Sequence, residues 1–133
     1  MLKIRMLSLF LLLVLTIGCA GGGPDLVGSW QLVSTAGRSV DHETATVKSL
    51  TDTHFAFGHQ TDDGLFGGGG TWSLEDGAYV ETVQWHSLDF LVGHAIKFDM
   101  KVEDGRWYHT ADFVVDGERF HIEEVWERIE KNR

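Results

Sequence analysis

Two carboxylates and two histidines, Glu81, His94, His109 and Glu124, stand at alternating positions among large apolar residues in a chain of 133 residues. Side chains two apart along a strand point the same way. Tyr79-x-Glu81-x-Val83-x-Trp85, His94-x-Ile96-x-Phe98, Trp107-x-His109-x-Ala111 and Phe120-x-Ile122-x-Glu124-x-Trp126-x-Arg128 therefore each carry a polar group on an apolar face. Buried polar groups must find partners. Either one or two of them sit in water at a barrel mouth, or each carboxylate pairs with an internal histidine or Arg128, or the four line a ligand pocket whose aromatic wall includes Tyr79, Trp85 and Trp107. Acid–base work by Glu81 or Glu124 with an internal histidine is the catalytic alternative. The seven histidines contain no His-x-His or His-x-x-x-His, and the candidates come from separate strands, so no metal and no other cofactor is expected. A Gly-x-Ser-x-Gly elbow is absent. Gly67 to Gly70 does not match a phosphate loop, because Thr71-Trp72-Ser73-Leu74 follows it; it reads as a place of close backbone approach or a bulge. No catalytic residue is assigned.

These groups can meet only if strands place them. From Val27 onward the chain consists of short alternating runs separated by turn residues, with no convincing helical period. Candidate strands are Val27–Ser34, Thr44–Leu50, His54–His59, Gly70–Leu74, Tyr79–Trp85, His94–Val102, Arg106–Val114 and Phe120–Ile129. Asp76-Gly77, Asp104-Gly105 and Asp116-Gly117 mark tight hairpins. One helical turn fits Ser87–Val92, with Ser87 as its cap. The fold class is all-β, an antiparallel up-and-down barrel of about eight strands, because pairing the first strand with the last removes both exposed edges. A two-sheet sandwich is the alternative. Trp30 and Arg128 are the expected closure, since a guanidinium on an indole face is favourable by roughly 0.5–2 kcal/mol. Eight strands leave an interior that is either filled or holds one small ligand. His59 shares a face with Phe55 and Phe57, whereas His42, His86 and His121 read as loop or outward residues.

The chain starts differently. Lys3 and Arg5 precede an apolar run from Met6 to Ile17, the two parts of an export signal, and the run is shorter than a spanning helix requires. Leu15-Thr16-Ile17-Gly18-Cys19 resembles a bacterial lipobox, with Thr16 standing where Leu, Val or Ile is usual. The expected organisation is a cleaved lipoprotein signal peptide over 1–18, the lipidated Cys19 and a glycine-rich spacer over 19–26, and a barrel domain over 27–130. Cys19 is the single cysteine, so no disulfide forms within the chain and packing alone must hold the fold. The formal charge of −9 becomes more negative once Lys3 and Arg5 depart, which disfavours nucleic acid as a partner.

Gly28-Ser29-Trp30 near the start and Trp126-Glu127-Arg128 at the end resemble the Gly-x-Trp and closing arginine of the lipocalin and wider calycin group. Thr51-Asp52-Thr53-His54-Phe55, Gly68-Gly69-Gly70-Thr71-Trp72-Ser73-Leu74, Tyr79-Val80-Glu81 and Glu123 to Arg128 together look like a family of bacterial lipocalin-like domains carried on exported lipoproteins. The resemblance covers roughly Leu26 to Ile129. It implies a barrel with Trp30 at the closed end and Arg128 packed across it, and it transfers no catalytic residue. His54 lies in the recurrent stretch, yet alternation places it opposite Phe55 and Phe57, which makes it a rim candidate.

The expected function is a lipid-anchored envelope protein that binds a small, partly apolar molecule inside the barrel through Tyr79, Glu81, Trp85, His94, Trp107, His109 and Glu124. An envelope enzyme using an internal Glu/His pair and a protein-interaction barrel are the alternatives. Ala20 after the cysteine, rather than Asp, resembles the outer-membrane sorting pattern of cells with two membranes.

Overall fold

A computed structural model describes residues 23–130 of the chain. The export signal over 1–18 and Cys19 lie outside the described residues. In chain order the strands are β1 (Gly28–Thr35), β2 (Arg38–Ser39), β3 (Val47–Leu50), β4 (His54–Thr61), β5 (Gly64–Glu75), β6 (Ala78–His86), β7 (Ala95–Glu103), β8 (Arg106–Val115) and β9 (Glu118–Arg128), with one 3-10 turn over Asp89–Leu91. The three Asp-Gly pairs make the β5–β6, β7–β8 and β8–β9 turns. Each has positive φ at both residues, for example 50° at Asp76 and 81° at Gly77, which matches the twist of the strands they join.

Every neighbouring pair is antiparallel, and β1 pairs with both β3 and β9, so eight strands close into a barrel. The two-residue β2 is an addition that folds back on the end of β1 through Ala36-Gly37 and interrupts a simple meander. A further hairpin joins β4 to β5 at Asp62-Asp63 and lengthens both strands beyond their expected limits. Gly58 and Gly67 to Gly70 hide it from a propensity reading, because glycine is a poor strand former. Here the lack of side chains is what the pairing requires. A Cβ at Gly67 would lie 2.5 Å from the Phe57 carbonyl oxygen, and one at Gly70 would collide with the Thr82 carbonyl oxygen.

The expected cap at Ser87 does not form, and Leu88 precedes the 3-10 turn without a side-chain hydrogen bond. Ser87 instead extends the β5–β6 contact, its Oγ accepting from the Gly67 amide at 2.9 Å and its own amide donating to the Gly67 carbonyl at 2.8 Å.

One end of the barrel is plugged. Trp30, aligned with Arg128 across the β1–β9 pair, packs edge-on against Trp107 at 5.4 Å between ring centroids and donates its indole N–H to the Leu26 carbonyl at 2.9 Å. The Arg128 guanidinium lies 4.2 Å over the Trp30 ring and donates to the carbonyls of Val27 and Asp25 at 2.8 and 2.7 Å. The segment leading into β1 is thereby tied to the last strand.

Candidate functional site

Strand alternation carries an ammonium into the barrel. In β3 the face formed by Lys48 and Leu50 is buried while Val47 and Ser49 face out. The Lys48 stem runs along apolar surface, and its Nζ is ringed by six aromatic rings whose centroids lie 4.7–6.0 Å away, Trp126 the nearest. A buried cation also needs an anion. Glu81 on β6 supplies it, with Oε1 2.8 Å from Lys48 Nζ and accepting the Tyr79 hydroxyl at 2.9 Å. Burial, with Glu81 beside it, pushes the Tyr79 phenol well above its usual range.

A second pair faces the first. His109 on β8 and Glu124 on β9 are register partners, and His109 Nε2 lies 2.6 Å from Glu124 Oε2. Trp126 Nε1 donates to the same oxygen at 3.0 Å. Burial alone would raise the Glu124 carboxyl, but the hydrogen bond from His109 and the charge on Lys48 outweigh it and hold the group below the usual carboxylate range. Burial drives the His109 ring the other way, below the usual imidazole range, against the opposing pull of Glu124. The Trp126 indole N–H also lies 3.1 Å from His109 Nε2, but a carboxylate only accepts, so the 2.6 Å contact places the His109 proton on Nε2 and the indole donates to the Glu124 oxygen instead. His109 Nδ1 is buried without a hydrogen-bond partner among the described residues, consistent with an unprotonated nitrogen.

Above these pairs, away from the Trp30–Arg128 plug, lies a cavity of about 230 Å³. Lys48, Glu81 and Glu124 form its polar floor. Val83, Ile96, Phe98, Ile122 and Trp126 give it apolar walls, and Leu91 of the 3-10 turn borders it. His59 and His86 also line it, His59 bonded to Thr46 at 2.9 Å and His86 Nδ1 accepting the Leu88 amide at 2.8 Å. All the hydrogen bonds that each carboxylate receives from the described residues fall on one of its oxygens, Oε1 of Glu81 and Oε2 of Glu124. Among the described residues no group of three or more His, Cys, Asp or Glu side chains is arranged to hold a metal ion.

Of the side chains expected inside, Glu81 and Glu124 reach the cavity. Tyr79, Trp107 and His109 are fully buried in the layer between it and the plug, where Trp107 and His109 meet at 4.9 Å and His109 stacks on Phe98 at 4.3 Å. Trp85 does not face inward and is 50 % exposed. The cause is a bulge: Gly69 pairs with Trp85 and Gly70 with Val83, so Gln84 is an extra residue in β6 and alternation reverses beyond it. The same reversal turns His86 inward, against its reading as an outward residue. His94 is exposed as well. It follows Gly93, whose φ of 87° breaks the extended chain before β7 begins at Ala95, so the alternation of β7 does not reach back to it. His54 is exposed on β4, bonded to Thr53 at 2.7 Å.

Lys48 was missed because Ala45 and Val47 lie on one side of its run and Leu50 on the other, which leaves the inward face undecided. The usable signal was charge, since an interior carrying two carboxylates requires a cation.

No family model and no curated protein matches the chain. Among solved structures it is similar to the crystal structure of an uncharacterized protein from Bacteroides eggerthii, with a TM-score of 0.51 and 16 % identity over 79 % of this chain and 100 % of the other. At that identity the likeness is one of fold. It agrees with the eight-stranded antiparallel closed barrel described above.

Proposed function

We propose that the barrel is a binding module for a small, partly apolar molecule, held at the bacterial cell envelope by a lipid on Cys19 after removal of residues 1–18, with residues 19–26 as spacer and 27–130 as the binding domain. The observation that carries the reading is the cavity itself: apolar walls over a floor of Lys48, Glu81 and Glu124, with one oxygen of each carboxylate free of donors among the described residues. Its volume lies below the roughly 300–1,000 Å³ common for drug-sized ligands, so the ligand is small. Binding is favoured over catalysis because His109, the histidine paired with a carboxylate, is buried beneath the floor and bonded through the nitrogen that would transfer a proton. The lipocalin-like motifs around Trp30 and Arg128 support the same reading, and in a cell with two membranes Ala20 after the cysteine fits an outer-membrane placement.

A thermal-shift screen of small apolar acids, amines and neutral compounds tests it, with Ile122→Trp as the variant whose larger side chain occupies the cavity. Compounds that raise the melting temperature of the parent and leave Ile122→Trp unmoved support a cavity ligand. Stabilisation of neither, or of both equally, contradicts it.

A further inference from the structure

The charges lining the cavity do not cancel. Lys48 provides one positive charge and is committed to Glu81 at 2.8 Å, while Glu124 takes its hydrogen bonds from His109 and Trp126, both uncharged. A protonated His109 would carry a proton on Nδ1, which is buried with no acceptor among the described residues, so that ring is neutral. His86 accepts a backbone N–H at Nδ1 and is neutral for the same kind of reason, and His59, the other histidine of the lining, is bonded to the Thr46 hydroxyl and forms no ion pair with a carboxylate among the described residues. One lysine therefore faces two carboxylates, which leaves a single negative charge on Glu124, in a cavity whose walls include Trp126 and Phe98.

From this balance we infer that the ligand is a cation, a small organic amine whose ammonium group meets the open oxygen of Glu124 and whose apolar body rests against Val83, Ile96 and Ile122. The inference rests on the binding reading above and specifies its ligand class. An ammonium would gain twice over, from the carboxylate and from the aromatic faces nearby, in a setting where water screens neither interaction well. The interactions that keep the Glu124 carboxyl below its usual range oppose the alternative of neutralising it with a proton. A carboxylic acid of the same shape would add a second uncompensated negative charge. A neutral alcohol would gain the apolar contacts alone.

Benzylamine, benzyl alcohol and benzoate share one body and differ in charge, and isothermal titration of each into the parent protein at neutral pH separates the cases. The expected result is that benzylamine binds at least about tenfold more tightly than benzyl alcohol and that benzoate binds weakest. Glu124→Gln, which can still accept from His109 and Trp126, should abolish the preference for the amine while changing the alcohol little. If the alcohol or benzoate binds as tightly as the amine, the cation inference is overturned and the cavity remains a binding site. If none of the three binds but other screened compounds stabilise the parent and not Ile122→Trp, again only the ligand class is wrong. Failure of every compound overturns both. The ranking in the parent protein decides the matter alone should Glu124→Gln fail to fold.

Discussion

At the scale of single residues, the interior is a polar arrangement embedded in aromatic rings, and its pH response follows from His109. Burial holds that ring below the ordinary imidazole value near ~6.5. Below about that pH the unfolded chain takes up a proton that the folded ring resists, so the stability associated with His109 is complete above it and declines as pH falls. For one such group the slope approaches about 1.4 kcal/mol per pH unit. His86, also lowered by burial, acts in the same direction, and Glu124, held below the carboxylate range, adds a second loss in stronger acid. The exposed His121 works oppositely, because Asp112 raises it and its contribution fades as pH rises. Urea unfolding at pH 7.5 and 5.5 should show the parent losing more stability on acidification than His109→Gln, whose amide can still donate to Glu124. Equal losses would mean that His109 is not the neutral buried ring described. Glu81, His109 and Glu124 were legible as interior residues because each alternates with unambiguous apolar neighbours. Lys48 was not, since its own strand lacks such neighbours and only the charge balance pointed to it.

At the scale of elements, the glycine run of β5 and the bulge of β6 decide what reaches the cavity. Gly68 leaves room for Phe57 and His86 inside, whereas Gly69 lies under the Trp85 ring outside. The two sites differ in what a methyl group would meet. At Gly69 it meets a half-exposed ring that can swing aside, and at Gly70 it meets the Thr82 carbonyl, which is fixed in the β5–β6 ladder. Gly70→Ala should cost about 1–3 kcal/mol and Gly69→Ala distinctly less, as read from denaturation midpoints. Equal costs would show that the strands are not packed as closely as described. The three Asp-Gly turns could be read directly because their chemistry demands positive φ. The bulge could not, because an inserted residue leaves no compositional mark, and it misdirected the readings of Trp85 and His86 together.

At the scale of the whole molecule, ring closure could be anticipated from an edge argument and from the Gly-x-Trp and terminal arginine motifs, and the eight-stranded antiparallel barrel agrees with it. A cavity could not be anticipated with equal force, since eight strands suit a filled interior as well as a hollow one. Attachment belongs to this scale too. Two or more acyl chains anchor stably where one is marginal, so Cys19→Ser should move the protein from the membrane fraction to the soluble one, and unchanged fractionation would contradict lipid attachment. The most direct test of the barrel as a binding module is native mass spectrometry of the protein purified from its own cells, beside Ile122→Trp prepared in the same way. The expected spectrum shows a small bound mass on the parent that is missing from the variant; a bare parent, or the same added mass on both proteins, would contradict a ligand in the cavity.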